Sequence, residues 1–556
     1  MRILSILALL GALALLVPLT SSAVDRDSQK QTFVVLYERG ASADTAATAV
    51  KNAGGQIVDV NRKVGVATVK SSNENFATDV AQSKAIAGAA RNRPVGEAPA
   101  SRPADPFALE RMTGERERQS GHGRVRGRGG RPSEAEPFAD LQWDMRMINA
   151  TPSGSYSRQR GKGVRVGILD TGVDGTHGDI APNFNAALSR NFTTDDPLID
   201  GPCADEADHS CSDPSNVDEN GHGTHVAGTV GAPINNLGMA GVAPDVELVN
   251  LRAGQDSGYF FLQASVNALT YAGDHGIDVV NMSYYIDPWL YNCTDNPADS
   301  AEEQQEQATI IEGTERALAY ARSHGVTLVS AEGNGHTDLG KPTFDNTSPD
   351  YPPGAERDRN VDNSCVSEPT EGKNVLGITS VGPSERKAYY SDYGVEQADL
   401  SAPGGDIRDR FGTSQYLSPT NTILAPYPKN MAVEEGALNP DGTPNTPFVL
   451  ADCSQGECQY YQYLQGTSMA SPHAVGVAAL AVAANGKRDR RNGGLTASPD
   501  TVEKVLKRSA RDHACPEPRA YDYPDLGPEY TAVCEGSKQF NGFYGHGIVD
   551  ALAASK

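Results

Sequence analysis

The strongest constraint on this chain is a repeating order of segments between about residues 138 and 556. Near-continuous apolar runs, "KGVRVGILD", "DVELVNLRA", "IDVVNMSYY", "VTLVSAEGN" and "NVLGITSVG", have the length and composition of buried strands. Between them lie "HVAGTVGA", "FFLQASVNALTYAGDHG" and "EEQQEQATIIEGTERALAYARSHG", which have helical spacing, the last two ending on glycine. Fully apolar strands alternating with helices predict an α/β domain over 138–556: a doubly wound, mostly parallel sheet covered on both faces. Functional residues in such sheets gather beyond the C-terminal ends of the strands.

Upstream the composition changes three times. Arg2 followed by an apolar run from Ile3 to Val17, with Ser21 and Ala23 as a small-x-small pair, predicts a signal peptide over 1–23. The alternative is an N-terminal anchor, but the run is short for a membrane span. Residues 31–94 read as a small α+β unit. "TFVVLYERG" is strand-like, "SADTAATAVKNAGG" a short helix, "QIVDVNRKVGVATVK" a hairpin, and "NENFATDVAQSKAIAGAA" returns to helical spacing. Residues 95–137 carry Pro, Gly and many arginines, as in "ERERQSGHGRVRGRGGRP", and read as a flexible, easily cut linker. Beyond the N-terminal run no other stretch is expected to approach membrane-spanning length.

Net charge decides some partners. At −23 the surface repels nucleic acid and anionic membranes, and the linker's basic run does not reverse this. The eight cysteines, all between Cys203 and Cys534, favour disulfides in an exported protein. Short spacings suggest Cys203–Cys211, Cys453–Cys458 and Cys515–Cys534, leaving Cys293 with Cys365. Spacing alone does not exclude other pairings.

Three residues stand where chemistry is expected. Asp170 ends a strand in "LDTGVDGTH", His222 opens a helix in "DENGHGTHVAG", and Ser468 opens another in "QGTSMASPHAVG". A local reading makes Thr467 or Ser468 a helix N-cap, with Pro472 in the first turn. A chemical reading makes Ser468 a nucleophile, His222 its base and Asp170 the carboxylate that orients the base. The motifs "DTGVD", "HGTHVAG" and "GTSMASP", in this order, resemble those of the subtilisin-like serine proteases, the subtilases. The resemblance covers most of the chain. It implies a secreted, monomeric endopeptidase made as a zymogen, with residues 31–94 a ferredoxin-like inhibitory propeptide and the activating cut in 95–137. It implies an oxyanion donor at Asn334 in "SAEGNGHTD", aided by the backbone N–H of Ser468. Substrate-binding strands fall at Gly258 in "AGQDSGYF" and Ser283 in "NMSYY". Subtilases commonly have glycines soon after that serine. This chain has Tyr284, Tyr285 and Ile286 instead, which predicts a primary pocket unlike the broad, bulky-apolar one of typical relatives.

Catalysis of this kind requires no cofactor, and the partners are protein or peptide substrates and the chain's own propeptide. Structural calcium at acidic loop residues such as Asp205, Asp208 and Asp213 is an option the resemblance raises, without assigned ligands. His225 and His473 read as packed helix histidines and Asp174 as a turn residue. Two rival readings remain: a non-catalytic secreted binding protein on a protease scaffold, or an aspartic protease using "DTG" at Asp170 and "DSG" at Asp256. The second demands β-rich lobes, whereas both motifs lie within strand–helix alternation.

Overall fold

Apolar strands that alternate with helices fold here as the sequence demands. The computed structural model describes residues 30–92, 136–205 and 209–556. The signal segment 1–23 and all but the last two residues of the 95–137 linker lie outside these. The first unit contains β1 (Gln31–Tyr37), α1 (Ala43–Asn52), β2 (Gly55–Asn61), β3 (Val66–Ser71), α2 (Phe76–Ala81) and β4 (Ile86–Asn92). Its four strands form an antiparallel sheet in the order β2-β3-β1-β4. The expected second helix is shorter than its spacing implied. It stops at Ala81, and "IAGAARN" pairs with β1 because Ile86, Ala89 and Ala90 are buried there.

Period-two alternation assigns the two faces of β1. Phe33, Val35 and Tyr37 pack with Phe76 and Val50 in the unit's own core. Val34 and Leu36, with Val64 and Val66, join residues of the larger domain.

That larger domain holds α3 (Trp143–Met147), β5 (Arg165–Leu169), β6 (Arg190–Asn191), α4 (His222–Gly231), β7 (Glu247–Arg252), α5 (Leu262–Asp274), β8 (Val279–Met282), α6 (Ala301–Ser323) and β9 (Thr327–Ala331). It continues with a small hairpin, β10 (Phe344–Asp345) and β11 (Arg359–Asn360), then β12 (Val375–Val381), β13 (Ala398–Pro403), β14 (Ile423–Tyr427), α7 (Lys429–Glu434), β15 (Val449–Asp452), β16 (Gln459–Leu464), α8 (Thr467–Asn485) and α9 (Pro499–Ser509). Seven strands make one parallel sheet, ordered β13-β12-β9-β8-β5-β7-β6. From β5 the chain goes one way to β6 and β7 and returns to build the other half, so the order switches beside β5.

Alternate strand residues divide between two cores. Val166, Leu248, Val279, Val329 and Ile378 face α4 and α8. Val249, Leu251, Val280, Met282 and Leu328 face α5 and α6. A capping box starts α6: Glu303 N donates to Ser300 Oγ (3.2 Å), and Ser300 N to Glu303 Oε2 (2.7 Å). The first unit sits on the outer side of α5 and α6. Arg316 Nη1 donates to Tyr37 O (2.7 Å), Asn61 Nδ2 to Thr270 Oγ1 (2.6 Å), and Arg39 pairs with Glu312 (2.8 Å).

The cysteines pair as Cys203–Cys211, Cys293–Cys365, Cys453–Cys458 and Cys515–Cys534. One expectation about apolar length is corrected. Among the described residues α8 is long and apolar enough to cross a membrane, but 89% of that stretch is buried inside the fold. It is the central core helix, which is why it is apolar all round.

Candidate active site

Every candidate lies at the C-terminal edge of the parallel sheet. Asp170 follows β5, the Gln255–Phe260 loop follows β7, Ser283 follows β8 and Asn334 lies beyond β9. His222 and Ser468 start α4 and α8, which pack on the same face of the sheet.

His222 and Asp170 form a buried couple. His222 Nδ1 lies 2.7 Å from Asp170 Oδ1, with both side chains fully buried. Burial pushes the Asp170 carboxyl up; the contact with His222 and the N–H of Thr171 (2.8 Å) pull it back. With Nδ1 committed to the carboxylate, Nε2 is the ring atom that can exchange a proton. Close approach of the helix needs a residue without a side chain: a Cβ on Gly223 would lie 2.1 Å from Gly172 O.

The start of α4 is held by a residue the sequence reading did not single out. Asp218 Oδ1 accepts from Gly221 N (2.9 Å), and Asp218 Oδ2 from Thr224 N (3.0 Å) and Thr224 Oγ1 (2.6 Å). It satisfies donors that a helix start leaves open. Its only sequence signal is an acid just before "NGHGTH".

The start of α8 departs from its local reading in two ways. The N-cap is Gly466, not Thr467 or Ser468, and no side chain of its own caps it. The cap comes from a distant residue: Asn334 Oδ1 accepts from Thr467 N (2.9 Å) and from Thr467 Oγ1 (3.0 Å). With its carboxamide oxygen turned to Thr467, Asn334 presents its Nδ2 side elsewhere, as a hydrogen-bond donor must. Pro472 is the sixth helical residue, inside the helix rather than in its first turn.

Pro472 has a consequence for the nucleophile candidate. It has no N–H to give to Ser468 O, four residues back. Ser283 Oγ replaces that donor at 3.2 Å. Ser283 is itself set by Asn281, whose Nδ2 donates to Ser283 Oγ (2.9 Å) while its Oδ1 accepts from Ser471 Oγ (2.7 Å). All three side chains, Ser471, Asn281 and Ser283, are buried, and donors and acceptors alternate consistently through the chain of bonds.

The Gly258 segment is a tight turn. Gly258 N donates to Gln255 O (3.0 Å) with Gly258 at φ 93°, and Gln255 N to Tyr259 O (2.9 Å). Beyond it, Asp287 N donates to Phe260 O (2.8 Å), which joins the ends of the Gly258 and Ser283 segments. Tyr284 is buried and stacks on Phe260 at 4.1 Å. Half-buried Tyr285 donates its hydroxyl to Asp350 Oδ2 (2.5 Å). Ile286 N donates to Glu368 O (2.9 Å). The three residues that replace glycines are therefore packed or tied.

Asp213 does not fit a calcium ligand. It forms a cluster with Asp195 and Asp256, but the guanidinium of buried Arg252 lies among them, 3.1 Å from Asp195 and 2.8 Å from Asp256 and bonded to Asp213. The positive charge in this loop is a side chain. Asp256 thus belongs to an ion-pair cluster. Burial and its neighbouring carboxylates push its carboxyl up to about 8, against the pull of Arg252. Asp208 and the side chain of Asp205 lie outside the described residues. Asp174 Oδ1 accepts from Thr176 N (2.9 Å) as a turn residue does. His225 Nε2 faces two carbonyls, Ile423 O and Gln462 O, both at 3.1 Å, and burial lowers its basicity to about 3.

A parallel α/β sheet with a buried Asp–His couple and a serine opening an adjoining helix defines the class: a serine hydrolase of doubly wound architecture. Residues 161–547 match the model of the Subtilase family. The chain belongs to that family and is a serine endopeptidase acting on proteins or peptides, needing no catalytic cofactor. Subtilisin Savinase of Lederbergia lenta is 27% identical over 285 residues, 51% of this chain and 80% of the relative. Thermitase of Thermoactinomyces vulgaris is 28% identical over 289 residues, 52% and 79%. The fold is similar to that of the epidermin leader peptide processing serine protease of Staphylococcus aureus: TM-score 0.59, 19% identity, 95% of this chain and 98% of that one. It is also similar to fervidolysin of Fervidobacterium pennivorans: TM-score 0.56, 21% identity, 95% and 61%.

Proposed function

We propose that this subtilase is a secreted endopeptidase whose nucleophile is Ser468, with His222 as general base and acid and Asp170 as the orienting carboxylate. The observation that carries the reading is the fully buried His222–Asp170 couple at 2.7 Å. His222 takes the Ser468 proton as the hydroxyl attacks the peptide carbonyl, and returns it to the leaving amine. Water then cleaves the acyl-enzyme by the same exchange. Asn334, its oxygen turned to Thr467, donates to the oxyanion together with the N–H of Ser468. Substrate adds as a strand between the Gly258 and Ser283 segments.

In this reading residues 1–23 direct export, and residues 31–94 fold first and inhibit until the 95–137 linker is cut. The four disulfides suit an oxidising compartment, in keeping with export. The enzyme acts as a monomer. Structural calcium remains an expectation of the family resemblance, with Asp213 taken up by Arg252. The primary pocket, walled by Tyr285, has a preference other than bulky apolar side chains.

The test is Ser468→Ala. Turnover of any peptide substrate should vanish, and labelling by a serine-directed phosphonyl reagent with it. Persistent turnover, or inhibition by pepstatin instead, overturns the assignment. In the active enzyme kcat/KM should climb through about pH 6–8 as the imidazole loses its proton. N-terminal sequencing of the secreted form should place the cut within 95–137. Peptide-library profiling that returns Phe or Leu next to the cut refutes the altered pocket.

A further inference from the structure

His473, one helical turn beyond the nucleophile candidate, has an unusual pair of partners. Its Nδ1 lies 2.8 Å from Met469 O, and its Nε2 lies 3.0 Å from Asp144 Oδ2. His473 is fully buried and Asp144 is 2% exposed. A carbonyl oxygen only accepts, so Nδ1 must carry a proton. Nε2 then faces an Asp144 carboxyl oxygen, and the short contact requires one shared proton between them. Two other buried histidines, His177 and His225, are bonded differently. His177 Nε2 donates to Tyr460 O (3.0 Å) while its Nδ1 accepts from Asp179 N (3.1 Å), which suits a neutral ring. His225 uses one nitrogen for two carbonyls, and its Nδ1 has no hydrogen-bond partner among the described residues. His473 alone of the three has an oxygen at each nitrogen.

We infer that Asp144 and His473 form a second aspartate–histidine pair that clamps Met469 O and so positions the Ser468 turn. The inference rests on Ser468 being the nucleophile. Both groups are positioning residues: neither reaches the reacting atoms. Ser283 fixes Ser468 O, and His473 fixes the next carbonyl along the same turn. Asp144 supplies the fixed end, because its segment is stitched to the domain on several sides. Phe138 N donates to Gly238 O (2.7 Å), Leu237 N to Glu136 Oε2 (2.9 Å), Gln142 Nε2 to Ala240 O (2.9 Å) and Trp143 Nε1 to Thr422 O (3.1 Å). The residues that open the catalytic domain thereby belong to the active-site framework. Maturation has to cut upstream of Glu136; trimming past Asp144 would free the nucleophile helix.

Two measurements on the full chain decide this. First, ring-nitrogen NMR of isotope-labelled histidine should show Nδ1 of His473 protonated, as its bond to Met469 O requires, assigned by loss of the signal in His473→Gln. Second, kcat and KM are measured per active site, titrated with a phosphonyl reagent. Asp144→Ala should lower kcat by about 10- to 100-fold with KM little changed. Asp144→Asn should restore most of kcat, because its NH2 can donate to Nε2 of a neutral ring and leave the Nδ1 bond to Met469 O intact. An unprotonated Nδ1 on wild-type His473 overturns the clamp on Met469 O even where Asp144→Ala fails to fold. Unchanged kcat per titrated site in Asp144→Ala overturns the positioning role. A wild-type chain with no titratable serine instead sinks the functional assignment of Ser468.

Discussion

Thr467→Val tests whether Asn334 acts through its orientation. The substitution keeps shape and removes one hydroxyl, which makes two bonds: Thr467 Oγ1 donates to Asn334 Oδ1 (3.0 Å) and accepts from Gly333 N (3.1 Å). The bond from Thr467 N to Asn334 Oδ1 (2.9 Å) survives. Losing two part-buried bonds, one of which strands the Gly333 N–H, costs about 1–3 kcal/mol of stability. Catalysis should lose less than complete removal of an oxyanion donor, about 2.7–4 kcal/mol, because one of two anchors of the carboxamide remains. A fall in kcat of roughly 10-fold, about 1.4 kcal/mol, follows, with KM unchanged because Asn334 meets the substrate only as charge develops on the carbonyl. Steady-state kinetics normalised by active-site titration, alongside a thermal melt, read both effects. A variant that loses stability but keeps kcat within about twofold refutes the orienting role. A loss borne by KM would move Asn334 out of the transition state and into ground-state binding.

Other perturbations address the surrounding framework. Glu332 is fully buried, without a hydrogen-bond partner among the described residues for either oxygen; burial, then Asp399, Glu371 and Asp392, push its carboxyl well above the usual range. A folded-state value above the unfolded one gives stability that is present below about pH 4.5 and lost as pH rises. Glu332→Gln should therefore match wild type at about pH 4 and melt increasingly higher than it as pH climbs to about 8; a pH-independent difference refutes the reading. Arg252→Met leaves Asp195, Asp213 and Asp256 without their cation and should cost about 3–5 kcal/mol by denaturant unfolding at neutral pH, and less near about pH 4. An unchanged midpoint would show that the cluster is idle. Ser283→Ala should lower kcat by about 3- to 10-fold through loss of the bond to Ser468 O, roughly 1 kcal/mol, and by less in a Pro472→Ala background, where residue 472 regains an N–H. Additive effects in that double-mutant cycle refute the substitution of one donor for the other.

The parallel sheet was legible because both of its faces are covered, so β5, β7, β8, β9 and β12 read as near-continuous apolar runs. The edge strand β13 was not, since "ADLSAP" is short, polar in alternate positions and ends in proline. Likewise β4, built of Ala and Gly, carries no strand signature, and only its pairing with β1 decides its conformation. Asp170, His222 and Ser468 were legible as candidates because strand ends and helix starts carry distinctive local residues. Their supports were not. Asn334 caps a helix 133 residues away, and Asp144 reaches His473 across 329. Nothing within a sequence window marks such pairs. Asp213 misled in the opposite sense: an acidic loop suggests solvent or a metal, while its partner Arg252 sits in an apolar strand.

The first turn of α8 explains why so many supports converge. Its opening stretch, "TSMASP", includes Thr467, two serines and Pro472, all weaker helix formers than Ala, and the proline deletes one of the bonds that would hold Ser468 in the helix. A stronger helix would satisfy its own carbonyls and need nothing from outside. Here the missing order is supplied by side chains from the ends of β8 and β9 and from α3: Ser283 on Ser468 O, Asn334 on Thr467 N, and Asp144 through His473 on Met469 O. Each support arrives on a different element, so the position of Ser468 is fixed only when the sheet edge, the α3 segment and α8 are all in place. The proposed nucleophile is thus assembled by tertiary folding rather than by its own helix. That arrangement gives a protease a physical reason to remain inert in partly folded states, before any inhibitory segment acts.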